Sequence, residues 1–418
     1  MQTRALILTP IYPWPGDPYE GIFVHNQIMN LARQGVDCRI LTYRPGPPGF
    51  PYALARFSWL RHPLRWVFRS HQSNGVSIAH TFYAQRRRRG DDIIPSIAES
   101  LIRFIKAHPE HMEVNVVYAH WLWTGGAAAL MLRDYFGWPV VAIARGSEMH
   151  YWQTIHPHCL PYVKRVIYEA DAVVANCEGL RRQAEKVVPA RAGHIEVVYN
   201  GCNAKKFRPA KDKLAVRRRL GLDTGSRLLL FCGSIIERKG IYELAEAWNS
   251  FAPAHPEWRL IAVGRIVDRR LAKLLNRAGN GRVHLAGPVS HERVRMFMQA
   301  ADAYIQPSRF EGLANATMEA MATRLPVIAT DTNGQRELIC NGVNGWLVPA
   351  GDAAALTASL EEMVTDSERA EQFGLAARRT IESKFDPVRE AKRLAALLEH
   401  HAKEKRAEMT LQPIANTL

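Results

Sequence analysis

Residues 301–352 read ADAYIQPSRFEGLANATMEAMATRLPVIATDTNGQRELICNGVNGWLVPAGD, and the fold turns on how this stretch is parsed. The spacing predicts strand, loop, helix, strand, loop. Asp302 to Gln306 is a short apolar and aromatic run suited to a buried parallel strand, and Pro307-Ser308 ends it with residues that break strand pairing. Gly312 lets backbone approach a ligand closely. The run Leu313-Ala314-Asn315-Ala316 then enters a helix whose unpaired amides and dipole favour an anion such as phosphate. An open α/β sheet places its ligand at such a carboxyl edge. Glu311 stands before those amides and Glu319 about a turn and a half into the helix. Carboxylates accept hydrogen bonds from vicinal hydroxyls, so this pair suits a molecule with sugar hydroxyls on both sides of its phosphates, as in a nucleotide sugar.

Working outward, short apolar runs alternate with helical patterns through both halves of the 418-residue chain, which is long enough for two or three domains. Candidate strands are Leu6 to Thr9, Cys38 to Leu41, Val173 to Ala175, Ile195 to Val198, Leu228 to Cys232, Leu260 to Val263, Val283 to Ala286 and Pro326 to Ala329. Such alternation predicts an α/β protein of doubly wound parallel sheets. A proline-rich loop from Pro10 to Gly21 leads into a helix over Ile22 to Gln34, capped by Gly35.

The residues from Pro307 through Glu-Gly-Leu, Glu-Ala-Met-Ala, Leu-Pro-Val-Ile-Ala-Thr-Asp and Asn-Gly-Trp-Leu-Val-Pro resemble the E-x7-E region of retaining glycosyltransferases of family 4. The resemblance extends to FCGSIIERKG at Phe231 to Gly240, VVYAHWLWTGG at Val116 to Gly126, VVAIARGSEMH at Val140 to His150, and the N-terminal strand, loop and helix. It implies the GT-B fold, two Rossmann-like doubly wound domains facing a central cleft, and metal-independent transfer from a nucleotide-sugar donor without a cofactor. By resemblance Glu311 faces the donor sugar, Glu319 holds the ribose, and the amides of Gly312, Leu313, Ala314, Asn315 and Ala316 hold phosphate and sugar. Gly21 approaches the diphosphate, and the loop at Pro288 and Val289 holds the base by backbone, which leaves UDP and GDP indistinguishable. The family's diphosphate clamp is an arginine and a lysine; here Lys239 is in place, Ser234 occupies the arginine position, and Arg238 is the neighbouring substitute. Arg145 stands where the family has a histidine near the donor sugar, Glu148 replaces an aspartate, and His120 is a polar contact to donor or acceptor. The expected domains are 1–203 on the acceptor side, 204–385 for the nucleotide sugar, a helix at 386–405 crossing back, and a disordered tail at 406–418.

No apolar run approaches 18 residues and no signal peptide is visible, so a cytoplasmic protein is expected. The six cysteines lack a C-x-x-C pair, and no Asp-x-Asp triad suggests a divalent ion. The net charge is +15, and from Cys38 to Gly90 there are ten arginines and no acidic residue. Within that stretch Arg56, Arg61, Arg65 and Arg69 interleave with Trp59 and Trp66. Three readings stay open for it: aromatics packed into a core, an interfacial segment touching anionic membrane or a polyprenyl-linked acceptor, and a nucleic-acid surface, for which no recognised motif is present. A GT-B epimerase or phosphorylase and a non-catalytic sugar-nucleotide-binding subunit are the alternative functions.

Overall fold

The computed structural model describes residues 2–14, 17, 20–45, 71–73, 76–83, 93–109, 113–150 and 157–410. The interleaved segment Arg56, Trp59, Arg61, Arg65, Trp66 and Arg69 lies outside them. The chain forms two compact units. The first runs to Asn176, resumes over Leu180–Val198 and takes the last helix from Val388; the second comprises Cys177–Gly179 and Tyr199–Pro387.

In the first unit the strands are β1 (Arg4–Thr9), β2 (Asp37–Pro45), β3 (His71–Ser73), β4 (Val76–Tyr83), β5 (Val116–His120), β6 (Val140–Ala144), β7 (Ala172–Ala175) and β8 (Ile195–Val197). They lie in the order β3-β4-β2-β1-β5-β6-β7-β8, all parallel to their neighbours except the short β3. Runs such as Val140–Ala144 are buried at every position, as strands covered on both faces must be. The helix Ile22–Ala32 packs Val24, Ile28 and Leu31 on the sheet, and the last helix, Pro387–Thr410, adds Leu394, Leu397 and Leu398 to the same core. That helix continues to Thr410, so residues 406–410 are helical rather than part of a disordered tail. The unbroken i, i+3, i+4 apolar spacing of Leu394, Leu397 and Leu398 anchors it.

The second unit holds β9 (Arg227–Cys232), β10 (Trp258–Val263), β11 (Val283–Gly287), β12 (Ala303–Gln306), β13 (Val327–Thr330) and β14 (Trp346–Val348) in a parallel sheet ordered β11-β10-β9-β12-β13-β14. Numbered from its own first strand this is 3-2-1-4-5-6, the doubly wound order whose winding reverses between β9 and β12. Its core contains Phe231, Trp248, Phe251, Trp258, Ile305 and Phe373. β13 starts at Val327 and not at Pro326, because proline has no N–H for the ladder; Pro326 contributes only its carbonyl, which accepts from the Tyr304 amide at 3.0 Å.

Two glycines set how closely the loops pack at the reversal. Gly240 has φ +69°, and a Cβ there would sit 1.9 Å from the Pro307 carbonyl oxygen at the end of β12. A Cβ on Gly334 would sit 1.7 Å from the carbonyl oxygen of Gly312. Gly240→Ala is expected to destabilise the second unit by about 3 kcal/mol, a fall of roughly 6–12 °C in Tm. Gly221→Ala, with a similar φ of +71° but nothing within 4 Å, is expected to cost about 1 kcal/mol. Equal thermal shifts for the two variants would show that backbone strain, not the close approach, sets the cost.

Candidate functional site

The carboxyl ends of β9 and β12 flank the reversal, and the loops leaving them meet there. β9 continues through Gly233 and Ser234 into a short turn, Glu237–Lys239, while β12 continues through Pro307 and Ser308 to Glu311. The Arg309 amide donates to the Arg238 carbonyl at 2.9 Å. The Arg309 side chain reaches Glu243 (2.7 Å) and Glu237 (3.2 Å), so the turn is strapped to the loop. This brings the Lys239 ammonium into an ion pair with Glu311 Oε1, which also accepts from Ser308 Oγ at 2.9 Å. Arg238 Nη1 stands 3.9 Å from Glu311 Oε2 and donates to the Phe310 carbonyl at 3.4 Å.

Glu311 has a side chain only 10% exposed. Burial pushes its carboxyl up, but Lys239 and Arg238, with the hydrogen bonds from Lys239 and Ser308, outweigh burial and hold it below the ordinary carboxylate range. It is therefore ionised at neutral pH. Beyond it Leu313 and Ala314 are buried, and the helix Asn315–Ala322 begins with no side-chain cap on its first amides. The Asn315 carboxamide accepts from Asn200 Nδ2 at 3.1 Å. Glu319, on this helix, does not join the Glu311 cluster through any of its bonds; its Oε1 pairs with His291 Nε2 at 2.7 Å, and both side chains are under 15% exposed. His291 Nδ1 lies 3.4 Å from Lys206 Nζ. Ser234 is half-buried at the end of β9 and brings no charge; Pro288 is exposed and Val289 half-buried, just past the carboxyl end of β11.

In the first unit the winding reverses between β1 and β5. The loop after β1 closes on Gly21, whose φ is +65° and whose added Cβ would lie 2.8 Å from the Ile11 carbonyl oxygen. β5 ends at His120 and passes into a π-helical turn, Trp121–Gly126, entered by Trp121 at φ +67°. A Cβ on Gly125 would meet the His120 carbonyl oxygen at 2.2 Å, so only glycine lets the turn fold beneath it. Arg145, at the end of β6 and 4% exposed, donates from Nη2 to His120 Nδ1 (2.9 Å) and to Gln27 Oε1 (3.0 Å). Gln27 Oε1 also accepts from Tyr118 OH at 3.3 Å, and the guanidinium lies 5.2 Å from the Phe23 ring centre.

A guanidinium has no acceptor, so His120 Nδ1 must offer its lone pair and carry its proton on Nε2. Burial, reinforced by the Arg145 charge, holds the imidazole far below its ordinary pKa. His120 is thus a neutral donor. Glu148, fully buried, accepts from the backbone amides of Arg145 (2.8 Å) and Trp123 (3.1 Å) and ties the β6 loop to the β5 turn. Desolvation pushes its pKa up to about 7 against those hydrogen bonds and the Arg145 charge.

Residues 21–206 match the family described as Glycosyltransferase Family 4, and residues 212–380 match Glycosyl transferases group 1. This chain belongs to glycosyltransferase family 4. The Bacillus subtilis protein named "Putative teichuronic acid biosynthesis glycosyltransferase TuaC" is 25% identical over 404 residues, 94% of this chain and 97% of that protein. The lipopolysaccharide core biosynthesis mannosyltransferase LpsB of Rhizobium meliloti is 30% identical over 248 residues, 56% of this chain and 67% of that protein. Among solved structures, sucrose-phosphate synthase from Thermosynechococcus elongatus superposes with a TM-score of 0.77 at 21% identity, covering 96% of this chain and 99% of that one. HepE of Anabaena, solved in complex with UDP and glucose, gives 0.71 at 18% identity, covering 96% and 100%. The GT-B architecture, one doubly wound sheet in each unit, parallel apart from β3, is shared with these structures.

This family 4 glycosyltransferase thus gathers Lys239, Arg238 and Glu311 in one unit, and His120, Arg145 and Glu148 in the other. Sequence reasoning passed over Ser308, read only as a strand breaker, Arg309 and Gln27, which complete these groups, and His291, which pairs with Glu319. Ser308 sits beside Glu311 in the chain and could have been found as the nearest hydroxyl; Gln27 and His291 reach partners 118 and 28 residues away, which no local spacing reveals.

Glu148 makes a pH prediction with a definite sign. Its folded pKa of about 7 lies above the ordinary 4.5, so the folded state holds a proton that the unfolded chain has released. Its contribution to stability is therefore present below about pH 4.5 and declines as pH rises to about 7. Glu148→Gln is expected to flatten the fall in Tm between pH 5 and 8 relative to the unsubstituted protein. Parallel Tm curves for the two proteins across that range would contradict it.

Proposed function

We propose that this glycosyltransferase transfers sugar with retention of anomeric configuration and without a metal ion, from a UDP- or GDP-linked donor to a polyprenyl-linked glycan acceptor in surface polysaccharide biosynthesis. The observation that carries the donor half is the convergence of Lys239, Arg238 and Glu311 at the winding reversal of a 3-2-1-4-5-6 sheet, beside an uncapped helix N-terminus. The TuaC and LpsB resemblances support the polysaccharide setting. The lipid-linked acceptor rests on the arginine and aromatic interleaving of Arg56 to Ser70, and a peripheral position on the inner face of the plasma membrane follows from the same reading.

In the proposed reaction the bond from the anomeric carbon to the donor phosphate breaks, a bond to the acceptor hydroxyl oxygen forms on the same face, and the departing phosphate takes the acceptor proton. No protein base is required. Charge grows on the leaving phosphate oxygen, and preorganised donors aimed at it are the largest service a site can offer. An ammonium has three N–H donors. Lys239 spends one on Glu311 and retains others for phosphate; Arg238 and the amides from Gly312 to Ala316 add to it. Glu311 stays anionic near the sugar, where it accepts hydroxyl protons and favours positive charge developing at the ring. Glu319 is the ribose ligand. His120, neutral, donates from Nε2 to a sugar oxygen rather than acting as a base.

Thermal shift with UDP-, GDP-, ADP- and dTDP-linked sugars is the first test: at least one is expected to raise Tm, and none doing so would overturn the proposal. With the responding donor, Glu311→Ala is expected to lower kcat by about 10²–10³-fold, whereas Glu319→Ala raises the donor KM by about 10-fold with a smaller effect on kcat. Activity is expected to survive EDTA. Replacing Arg61, Arg65 and Arg69 together is expected to release the protein from anionic vesicles; unchanged co-sedimentation would favour the packed-core reading of that stretch.

A further inference from the structure

Glu319 is held by a group for which the reaction has assigned no role. His291 opens the helix His291–Ala300, whose N-cap Ser290 accepts from the Arg293 amide at 3.2 Å. Its ring is fixed from three sides. Nε2 lies 2.7 Å from Glu319 Oε1, Nδ1 lies 3.4 Å from Lys206 Nζ, and the ring centre is 5.2 Å from that of the buried Phe207. The two polar contacts agree on one tautomer. An ammonium only donates, so Nδ1 must be the acceptor; Nε2 then carries the proton, and the carboxylate of Glu319 is the group that can accept it. Lys206, His291 and Glu319 form a directed chain of donors ending on one carboxylate oxygen.

We propose that His291 is a positioning residue for donor binding: it pins Glu319 through Oε1 and leaves Oε2 oriented to accept the vicinal hydroxyls of the donor's ribose. The inference rests on the proposed role of Glu319 and goes beyond it in naming what sets the carboxylate's orientation. A carboxylate on an eight-residue helix, reached through three side-chain torsions, would otherwise sample several rotamers and lose that freedom on binding. The hydrogen bond from His291 removes that cost before the donor arrives. Histidine also suits the task electrostatically. As a neutral donor it orients Glu319 without cancelling the negative charge that makes a carboxylate a strong acceptor for hydroxyls.

The test compares His291→Phe, His291→Gln and Lys206→Met with the unsubstituted enzyme, using whichever of UDP-glucose, GDP-mannose or ADP-glucose raises its Tm. Phenylalanine keeps the packing on Phe207 and removes the donor; glutamine keeps an N–H donor. His291→Phe is expected to raise the donor KM about 10-fold while kcat stays within about twofold. His291→Gln is expected to recover at least half of that loss on a logarithmic scale. Lys206→Met, which removes the group that faces Nδ1, is expected to raise KM by a smaller factor than His291→Phe. If His291→Phe folds, by its Tm without donor, yet binds donor as the unsubstituted enzyme does, the inference is wrong. A rise in KM for His291→Gln equal to that for His291→Phe would show that the N–H donor does not account for the effect, which also overturns it. Glu319→Ala separates the two levels: if it too leaves KM unchanged, the role of Glu319 fails first.

Discussion

A carboxylate buried as deeply as Glu311 costs several kcal/mol unless charge and hydrogen bonds compensate it, and nearly everything at the carboxyl edge of the second sheet follows from that requirement. Compensation comes from Lys239, Arg238 and Ser308, two on the loop after β9 and one on the loop after β12. These loops lie where the winding of the sheet reverses, the point at which neighbouring connections leave for opposite faces and open a crevice. Meeting requires backbone contact closer than any side chain permits, hence Gly240 against Pro307. Arg309 then locks the turn by its bonds to Glu243 and Glu237. Together these contacts hold the two loops around the carboxylate.

The first unit meets the same geometric opportunity with a different chemical solution. Its reversal places His120 beside Arg145, and the guanidinium dictates the tautomer of the imidazole, as the ammonium of Lys206 does for His291 in the second unit. In both, a basic group donates to Nδ1 and leaves Nε2–H facing away from it. For His120, burial and the Arg145 charge hold the imidazole far below its ordinary pKa, so it is an oriented neutral donor, as the proposed reaction, in which the leaving group takes the proton, would need. Arg145, in place of the histidine found in the family, adds a fixed charge that reinforces burial in holding the pKa of His120 below its ordinary value.

How much of this was legible in the sequence depends on the range of the interaction. The parallel sheets could be read because fully buried strands carry unbroken apolar runs such as Val140–Ala144, and the helix after Glu311 because Gly312 and the following alanines mark a tight entry. Strand ends shifted by a residue or two where a proline or an edge position removed a ladder bond, as at Pro326. What could not be read were partners distant in the chain. Glu319 was placed on its helix correctly in kind, yet its pairing with His291 depends on two helices packing side by side. Gln27 reads as an ordinary polar residue of an amphipathic helix until Arg145, 118 positions later, is folded onto it. Glu148 could be read as a polar loop residue, but its burial and raised pKa arise from the π-helical turn at Trp121, a conformation no periodicity encodes.

Ser234 is where the local reading and the folded arrangement lead to different conclusions. Judged position by position, a serine in place of an arginine removes half of a diphosphate clamp. Judged by charge, little is lost. Arg238, Lys239 and Arg309 bring three positive charges to the turn and its loop, Glu237, Glu243 and Glu311 bring three negative ones, and the uncapped start of the helix at Asn315 adds a partial positive charge of about one half. The balance is slightly positive, the sign that the proposed diphosphate would require. Arg238 keeps Nη1 within 4 Å of Glu311 because Arg309 holds the backbone of the turn against the loop. The proposed clamp would therefore depend less on which residue of the Phe231–Gly240 segment carries the guanidinium than on the strap that aims it. Arg309, which touches no phosphate in this scheme, is as necessary to the charge at this edge as the residues that bear it.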